Sequence, residues 1–147
     1  MIIGIGVDVV DLARFERATS RTPGVLTRLF ADSEQWDGDA RRSLSSLAAR
    51  FAAKEAVMKA LGTGVRGVGW RDIEVLPNRR GKPLVFLYGR GAARAEQIEM
   101  RALEVSLTHS NDFAIASVVG ERAMTDAEDT PRRGEAALRL IREKGLR

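Results

Sequence analysis

A long helix that ends in glycines constrains the fold of this chain most strongly. The segment from about Arg41 to Leu61 has helical periodicity, and Gly62 stands where helices commonly end in the left-handed conformation. At 100° per residue, the apolar side chains form one stripe, which consists of Leu44, Leu47, Phe51, Met58 and Leu61. We therefore expect the remaining elements to pack around this helix.

Glu55 lies inside this apolar stripe, one turn after Phe51, and Lys59 lies at its edge one turn later. A partly desolvated carboxylate costs on the order of several kcal/mol unless a cation or a metal ion offsets its charge. The alternative is an ordinary Glu–Lys pair on a solvated helix, which contributes roughly 0.2–0.5 kcal/mol. Helix geometry alone leaves both interpretations open.

Composition limits the chemistry of any metal site. The 147 residues, of which 44% are hydrophobic, suffice for one domain with a sizeable core. The chain has no cysteine and a single histidine, His109, which excludes thiolate sites and His-rich zinc sites within one chain. Any metal would be hard and bound by oxygen, as Mg²⁺ is. There is no long apolar span and no basic leader, which predicts a cytoplasmic protein without a membrane partner.

The N-terminal segment is typical of a β-strand. Met1 to Val10 is apolar and β-branched, and its odd positions form an apolar face. Its even face carries Gly4, Gly6 and Asp8, so two glycines leave room beside an acid for a ligand or a close neighbour. The alternative for Asp8 is a residue at the end of a strand.

The next segment carries a basic ridge. Asp11 is a suitable N-cap for a helix from about Leu12 to Ser20, on which Arg14, Arg17 and Arg21 share one face. Arg28 adds to this basic surface, and the net charge of +4 favours an acidic partner. A merely solvated face is the alternative. With 5% aromatic residues and no interleaved stacking residues, the pattern argues against a nucleic-acid partner.

The glycines after the long helix indicate a second candidate site. After Gly62, the glycines at positions 64, 67 and 69 (Gly64, Gly67 and Gly69) expose backbone amides that could approach a phosphate. They follow the C-terminus of a helix, where the dipole disfavours anions, so this is not a P-loop. Lys59, Arg50 or a metal ion would have to supply the attraction.

The second half of the chain is predicted to contain strands. They run over Asp72–Pro77, Pro83–Tyr88, Leu103–Thr108 and Phe113–Val119, with a helix from Gly89 to about Arg101. His109 follows a strand at a tight turn, an exposed position, although a single histidine is often structural. Beyond Gly120 the chain becomes polar, and Glu135 to Lys144 is predicted to form a short amphipathic helix.

Four motifs in order resemble the holo-[acyl-carrier-protein] synthases, a family of 4′-phosphopantetheinyl transferases. They are Gly4-Ile-Gly-Val-Asp8, Arg50-Phe-Ala-Ala-Lys-Glu-Ala-Val-Met-Lys59 with the following Ala-Leu-Gly-Thr-Gly64, Gly81-Lys-Pro83, and Ser106-Leu-Thr-His109. The resemblance implies an α+β fold, in which an antiparallel sheet packs against a long central helix and shorter helices. It covers residues 1–122 as a single domain and leaves 123–147 as an extension of unknown role.

The resemblance also implies an activity, a set of partners and a set of site residues. The family transfers 4′-phosphopantetheine from coenzyme A, its co-substrate, to a serine of apo acyl carrier protein, using Mg²⁺ and releasing adenosine 3′,5′-bisphosphate. The implied metal ligands are Asp8 and Glu55, and the implied catalytic residues are Glu55, Lys59 and His109. Either Glu55 or a metal-bound water would take the serine proton.

Binding residues follow by the same correspondence. Coenzyme A would contact Arg50, Lys59, Gly62, Thr63, Gly64, Pro83 and His109, and the acidic carrier would dock on Arg14, Arg17, Arg21 and Arg28. The family commonly forms homotrimers with active sites between subunits, so Asp8 and Glu55 are expected to meet across an interface. A nucleic-acid-binding domain and a carrier-binding module without catalysis are the competing hypotheses.

Overall fold

The computed structural model describes residues 1–124. In chain order the elements are β1 (Ile2–Asp11), α1 (Leu12–Arg21), α2 (Val25–Leu29), α3 (Asp32–Gln35), β2 (Trp36–Asp37), β3 (Ala40–Arg41), α4 (Leu44–Ala60), α5 (Gly64–Gly67), a 3-10 turn (Trp70–Asp72), β4 (Ile73–Pro77), β5 (Pro83–Leu87), α6 (Gly89–Gln97), β6 (Ala102–His109) and β7 (Phe113–Glu121). The extension 123–147 lies outside these residues except for its first two positions, and the helix expected at 135–144 lies wholly outside them.

The central layer is an antiparallel sheet in the order β1-β7-β6. Val7 stands opposite Ser117, and Ser106 stands opposite the same residue from the other side, so β7 is paired along both edges. The β4–β5 hairpin forms a second antiparallel pair, and α4 packs across β1, β7 and β6. This arrangement confirms the α+β fold with a long central helix.

Helix α4 begins three residues later than its periodicity suggests. Arg41 is instead paired with Trp36 in the small β2–β3 hairpin, and Ser43 caps the helix by accepting a hydrogen bond from the amide of Ser46 at 3.2 Å. The helix is buried on most of its sides, because alanines such as Ala52, Ala53 and Ala56 let neighbouring elements approach closely. Its C-terminal boundary agrees with the sequence, since Gly62 has a φ of +70°.

The two faces of β1 differ from the usual apolar-inside pattern. The glycine-bearing face packs on α4, where a Cβ atom on Gly6 would lie 1.8 Å from the carbonyl oxygen of Ala56. The apolar face points outward, and Ile5, Val7 and Val9 are 65%, 50% and 54% exposed. The strand lies this close to the helix only because glycine has no side chain.

The start of α1 agrees with the sequence. The Asp11 carboxylate accepts a hydrogen bond from the amide of Arg14 at 2.8 Å, which confirms the N-cap. Phe15 fixes the helix to the core, with its ring centroid 5.6 Å from that of Phe51 on α4. Among residues 1–124, none of the helices combines the length and apolar character needed to cross a bilayer.

Candidate active site

Asp8 and Glu55 line the same cavity of one chain, which we call the carboxylate cavity. It has a volume of about 480 Å³ and lies between the end of β1, α1 and α4. Its other walls are formed by Val9, Val10, Asp11, Arg14, Phe15, Ala18, Phe51 and Phe113. The expectation that Asp8 and Glu55 meet across a subunit interface is therefore wrong for this pair, because β1 lies directly against α4 through its glycines.

Lys59 joins the carboxylates from the last turn of α4. Its ammonium group lies 2.9 Å from the Asp8 carboxylate and donates to the carbonyl oxygen of Val7 at 2.7 Å. Asp8 is 16% exposed and Lys59 49% exposed, so this pair stands at the edge of solvent. The predicted grouping of Asp8, Glu55 and Lys59 thus exists in the folded chain.

The environment of Glu55 raises its pKa. Burial is the largest cause, the negative charge of Asp8 acts in the same direction, and the ammonium group of Lys59 opposes both. Asp8 and Glu55 thus repel each other across this cavity, and the ammonium group of Lys59 offsets part of their charge. A further cation between them would be favourable.

The donor set of the carboxylate cavity fits Mg²⁺. This ion commonly takes one or two protein carboxylates and fills its remaining positions with phosphate oxygens and water. Within residues 1–124 no group of three or more His, Cys, Asp or Glu side chains is placed to hold a metal ion. Two hard oxygen donors without a full protein cage suit an ion that arrives with a phosphate-bearing substrate.

A second cavity, which we call the Arg50 pocket, collects three other predicted residues. Arg50, Pro83 and His109 line a space of about 250 Å³ together with Ser46, Ala49, Val75, Leu76, Pro77, Gly81 and Leu107. His109 ends β6 with an exposed side chain, and Pro83 begins β5. The predicted coenzyme-contacting residues from three separate segments therefore do converge.

Arg50 is partly committed to the fold. It is 7% exposed and donates from Nε to the carbonyl oxygen of Val75 at 3.1 Å and from Nη1 to that of Ser46 at 3.1 Å. Burial lowers the pKa of Arg50, and the nearby charge of Arg42 adds to this effect. Within the described part of the chain its Nη2 atom makes no hydrogen bond, which leaves the two N–H groups of this atom as donors for a ligand.

The carboxylate cavity and the Arg50 pocket lie on different faces of α4. Arg50 and Glu55 are separated by about 140° around the helix axis. Among residues 1–124, none lines both cavities. One chain therefore presents two separate cavities that do not face each other.

The glycine loop after α4 lines neither cavity. Of the amides expected to be free, that of Gly69 donates to the Asp72 carboxylate at 2.9 Å. At the start of the loop, the amides of Gly62 and Thr63 donate to the carbonyl oxygens of Lys59 and Met58 at 3.0 and 3.1 Å. Gly62 and Gly64 are exposed and have positive φ values of 70° and 57°. The loop closes the helix and is accessible to a ligand.

The basic ridge is on the surface. Arg14, Arg17, Arg21 and Arg28 are all exposed. Arg14 also lines the carboxylate cavity, so the ridge runs from the mouth of that cavity along α1. An acidic partner that binds this ridge would have a segment beside Asp8 and Glu55.

Three charged residues with long-range contacts were not predicted from the sequence. Lys54 and Glu34 form a fully buried ion pair, with 2.7 Å between the ammonium nitrogen and the carboxylate. Arg94 on α6 donates from Nε to the carbonyl oxygen of Leu61 at 3.0 Å, at the C-terminal end of α4. The residue pattern of α4 does not indicate either contact, because in each one the partner is far away in the sequence.

The chain matches the model of the 4′-phosphopantetheinyl transferase superfamily over residues 4–118. A holo-[acyl-carrier-protein] synthase of Salinispora arenicola is 45% identical over 123 residues, which are 83% of this chain and 100% of that protein. The share of this chain left unmatched has no counterpart in that relative.

Solved structures agree with this relationship. The crystal structure of holo-[acyl-carrier-protein] synthase from Neisseria meningitidis has a TM-score of 0.76 and 34% identity, and the match covers 83% of this chain and 100% of that one. The Helicobacter pylori synthase in complex with coenzyme A has a TM-score of 0.69 and 32% identity, with 80% and 99% covered.

Proposed function

The chain belongs to the 4′-phosphopantetheinyl transferase superfamily, and we propose that it transfers 4′-phosphopantetheine from coenzyme A to a serine hydroxyl of an apo acyl carrier protein. The observation that carries this proposal is a cavity lined by Asp8, Glu55 and the basic residue Arg14, with the ammonium group of Lys59 bonded to the Asp8 carboxylate. Carboxylates and a lysine beside a basic docking ridge suit a diphosphate donor and an acidic acceptor.

The reaction is an in-line displacement at the β-phosphorus of coenzyme A. The serine oxygen forms a bond to this phosphorus while the bond to the bridging oxygen breaks, and adenosine 3′,5′-bisphosphate leaves. The serine proton passes to a base in the carboxylate cavity, and Glu55 is the candidate within the chain because its carboxylate lines that cavity. Lys59 orients the diphosphate and offsets its charge.

Asp8 and Glu55 would hold Mg²⁺ in this cavity. The ion, when bound, neutralises charge on the non-bridging oxygens of the diphosphate. The chain contributes the two oxygen donors, and Phe15, Phe51 and Phe113 form apolar parts of the cavity wall. A bound metal ion would lower the pKa of Glu55, because its positive charge stabilises the ionised carboxylate.

A homotrimer would complete the active site. The outward face of the sheet carries Ile5, Val7, Val9, Phe113 and Ile115, all at least 37% exposed, and an apolar patch of this kind marks an interface. Val9 and Phe113 also line the carboxylate cavity, so a neighbour seated on this face reaches its rim. We propose that the neighbour's copy of the Arg50 pocket meets this rim and that Arg50, Pro83 and His109 bind the nucleotide part of coenzyme A there.

The acidic carrier would dock on Arg14, Arg17, Arg21 and Arg28. Replacing both Arg14 and Arg17 by glutamate should raise KM for the carrier about tenfold or more, since repulsion replaces attraction at two positions, and raise KM for coenzyme A much less. Steady-state kinetics with each substrate varied in turn measures this split. Equal increases in both KM values would show that α1 is not the docking surface.

The domain that performs this reaction would comprise residues 1–122, with 123–147 as an extension that the transfer does not require. We place the enzyme in the cytoplasm, with the coenzyme A that it consumes, and assign it to the activation of carriers for fatty acid synthesis. A chain ending at residue 122 should retain full specific activity. Loss of activity in a folded truncated chain would give the extension a role in the reaction.

Mass spectrometry of the carrier tests the reaction directly. The protein, coenzyme A, Mg²⁺ and an apo acyl carrier protein should give a carrier heavier by one 4′-phosphopantetheinyl group. A carrier with its serine replaced by alanine and an enzyme with Glu55→Gln should both give no product, while the circular dichroism spectrum of the variant stays unchanged. An unmodified carrier in the complete mixture would contradict the transferase proposal and favour a binding module.

Mixing two inactive variants tests the shared site. Glu55→Gln removes a carboxylate from the carboxylate cavity and His109→Ala alters the Arg50 pocket, so each variant alone should be inactive. After subunit exchange at equal concentrations, about a quarter of the sites would combine the two intact halves and activity should reappear. An absence of activity in a mixture proved to contain mixed trimers would place the whole site within one chain.

A further inference from the structure

A cation with no role in the proposed reaction so far lies at the C-terminal end of α4: Arg94 of α6. Helix α4 runs over Leu44–Ala60, and its dipole places partial negative charge at its last turn. The exposed glycine loop begins there, and Lys59 is two residues before Leu61. A phosphate that approaches Lys59 and Asp8 from this side therefore meets an unfavourable potential.

Lys59 and Arg94, two cations near the C-terminal end of α4, have different hydrogen-bond partners. The Lys59 ammonium group is already bonded to Asp8 and to the carbonyl oxygen of Val7. Arg94 is the residue that binds the helix end itself, because its Nε donates to the carbonyl oxygen of Leu61 at 3.0 Å. A Cβ atom on Gly62 would lie 3.7 Å from Nη2 of Arg94, so the guanidinium group is beside the loop.

The position of Arg94 is fixed by its own helix. Its Nη1 donates to the side-chain oxygen of Gln97 at 2.8 Å, one turn further along α6. On the same helix Ala95 is buried, and a Cβ atom on Gly91 would be 3.1 Å from the carbonyl oxygen of Asp72. Within residues 1–124 the Nη2 atom of Arg94 has no hydrogen-bond partner. A held guanidinium with one free donor edge is suited to an anion.

We propose that Arg94 is a positioning residue for the diphosphate of coenzyme A, which it serves by holding the glycine loop through Leu61 and by offsetting the negative end of α4. The inference rests on the proposed function, because it names a further residue for the same substrate. The glycine at position 62 leaves the space beside Nη2 open, which a larger side chain would fill.

Ligand binding separates this role from a purely structural one. Titration calorimetry with Arg94→Gln should show coenzyme A bound about five- to tenfold more weakly than by the wild-type protein. Adenosine 3′,5′-bisphosphate, which lacks the diphosphate linkage to pantetheine, should lose less than about twofold. Arg94→Lys should recover part of the affinity, since it keeps the charge but not the planar fork. The affinity of wild-type protein for coenzyme A should also depend more steeply on salt than that of Arg94→Gln.

Arg90→Gln is the matched control. Arg90 stands one turn earlier on the same helix, is exposed and pairs with Asp72 at 3.6 Å, so its loss removes the same charge without touching Leu61. Coenzyme A affinity should be nearly unchanged in this variant. The KM for the carrier should be unchanged in both variants.

The outcomes distinguish the two proposals. A wild-type protein that neither binds coenzyme A nor modifies the carrier would overturn the proposed function and this inference together. A wild-type protein that does both, with Arg94→Gln equal to it in coenzyme A affinity, would overturn the role of Arg94 alone. Equal weakening of coenzyme A and adenosine 3′,5′-bisphosphate, with an unchanged salt dependence, would also overturn it and leave Arg94 a structural contact.

Discussion

Helix α4 carries two lysines, Lys54 and Lys59, and each pairs with a carboxylate from another element. The two pairs differ in environment. Lys54 pairs with Glu34 at 2.7 Å, and both side chains are 0% exposed. Lys59 pairs with Asp8 at 2.9 Å, with 49% and 16% of their side chains exposed. The chemical groups are the same, so burial and the number of satisfied hydrogen bonds must account for any difference in role.

The buried pair has its hydrogen-bonding groups engaged by the protein. Lys54 donates to the carbonyl oxygens of Leu29 and Trp70 as well as to Glu34. Glu34 accepts from the amides of Ala31 and Val75, and so ties α3 and β4 to the helix. Burial lowers the pKa of Lys54, while the charge of Glu34 opposes this change. Such a network holds the fold and has no capacity left for a ligand.

The exposed pair is incomplete by comparison. Lys59 stands beside two carboxylates, and burial and Asp8 raise the pKa of Glu55. Unlike Glu34, these acids face a cavity large enough for a ligand. A charged group in an apolar helix is thus available for function where the protein leaves part of its charge without hydrogen-bond or ion-pair partners. Where such partners suffice, the group is structural.

Lys54→Met should produce the largest loss of stability. A small loss would contradict the structural role of the buried pair. Removing one member of a buried ion pair leaves Glu34 without its cation and two carbonyl oxygens without a donor. We expect a loss of about 3–5 kcal/mol in the free energy of unfolding. Urea denaturation followed by circular dichroism measures it. The double variant with Glu34→Met should lose less than the sum of the two single variants, and additive losses would contradict the coupling.

Lys59→Met makes the same substitution in the other pair and should give the opposite result. The free energy of unfolding should change by less than about 1 kcal/mol, because a partly exposed pair contributes little. The kcat for carrier modification should fall about a hundredfold, since a cation beside the diphosphate is lost. Urea denaturation and the mass assay test both parts. A strongly destabilised Lys59→Met with normal specific activity would reverse the roles assigned to the pairs.

Glu55→Gln, which should abolish activity, should have the smallest effect on stability, a change in how the free energy of unfolding depends on pH. The folded state raises the Glu55 pKa above its value in the unfolded chain, so the stability that Glu55 contributes is present below the unfolded pKa and is lost as pH rises through the folded pKa. Glutamine does not titrate. In a metal chelator the variant should melt about 1–2 °C above wild type at pH 7 and equal it near pH 4.

Calorimetric scans at several pH values with added Mg²⁺ sharpen this test. The ion should raise the Tm of the wild-type protein and have little effect on Glu55→Gln, because it binds the folded state through two carboxylates. A wild-type Tm that is independent of Mg²⁺ would contradict the metal site. A variant that is less stable than wild type at pH 7 in chelator would contradict the strained environment of Glu55.

Residue patterns were sufficient for most of the local structure. The N-cap at Asp11 and the left-handed Gly62 were predicted from local backbone preferences, which depend on neighbours in sequence. Glu55 stood out because a carboxylate interrupted an apolar stripe. The start of α4 was predicted too early, because the pairing of Arg41 with Trp36 replaces helix by hairpin.

The sequence was sufficient for the family, through its four motifs, and for the helical face that Glu55 and Lys59 share, through the helical period; Asp8 joined them only as the resemblance to that family implies. The tertiary structure decided which face of β1 is buried, because a strand with apolar residues on one face and glycines on the other can pack either way. It also decided that Lys54 meets Glu34, that Arg94 meets Leu61 and that the site divides into two cavities. These contacts join residues far apart in the chain, and only the packing of one element on another brings them within hydrogen-bond distance.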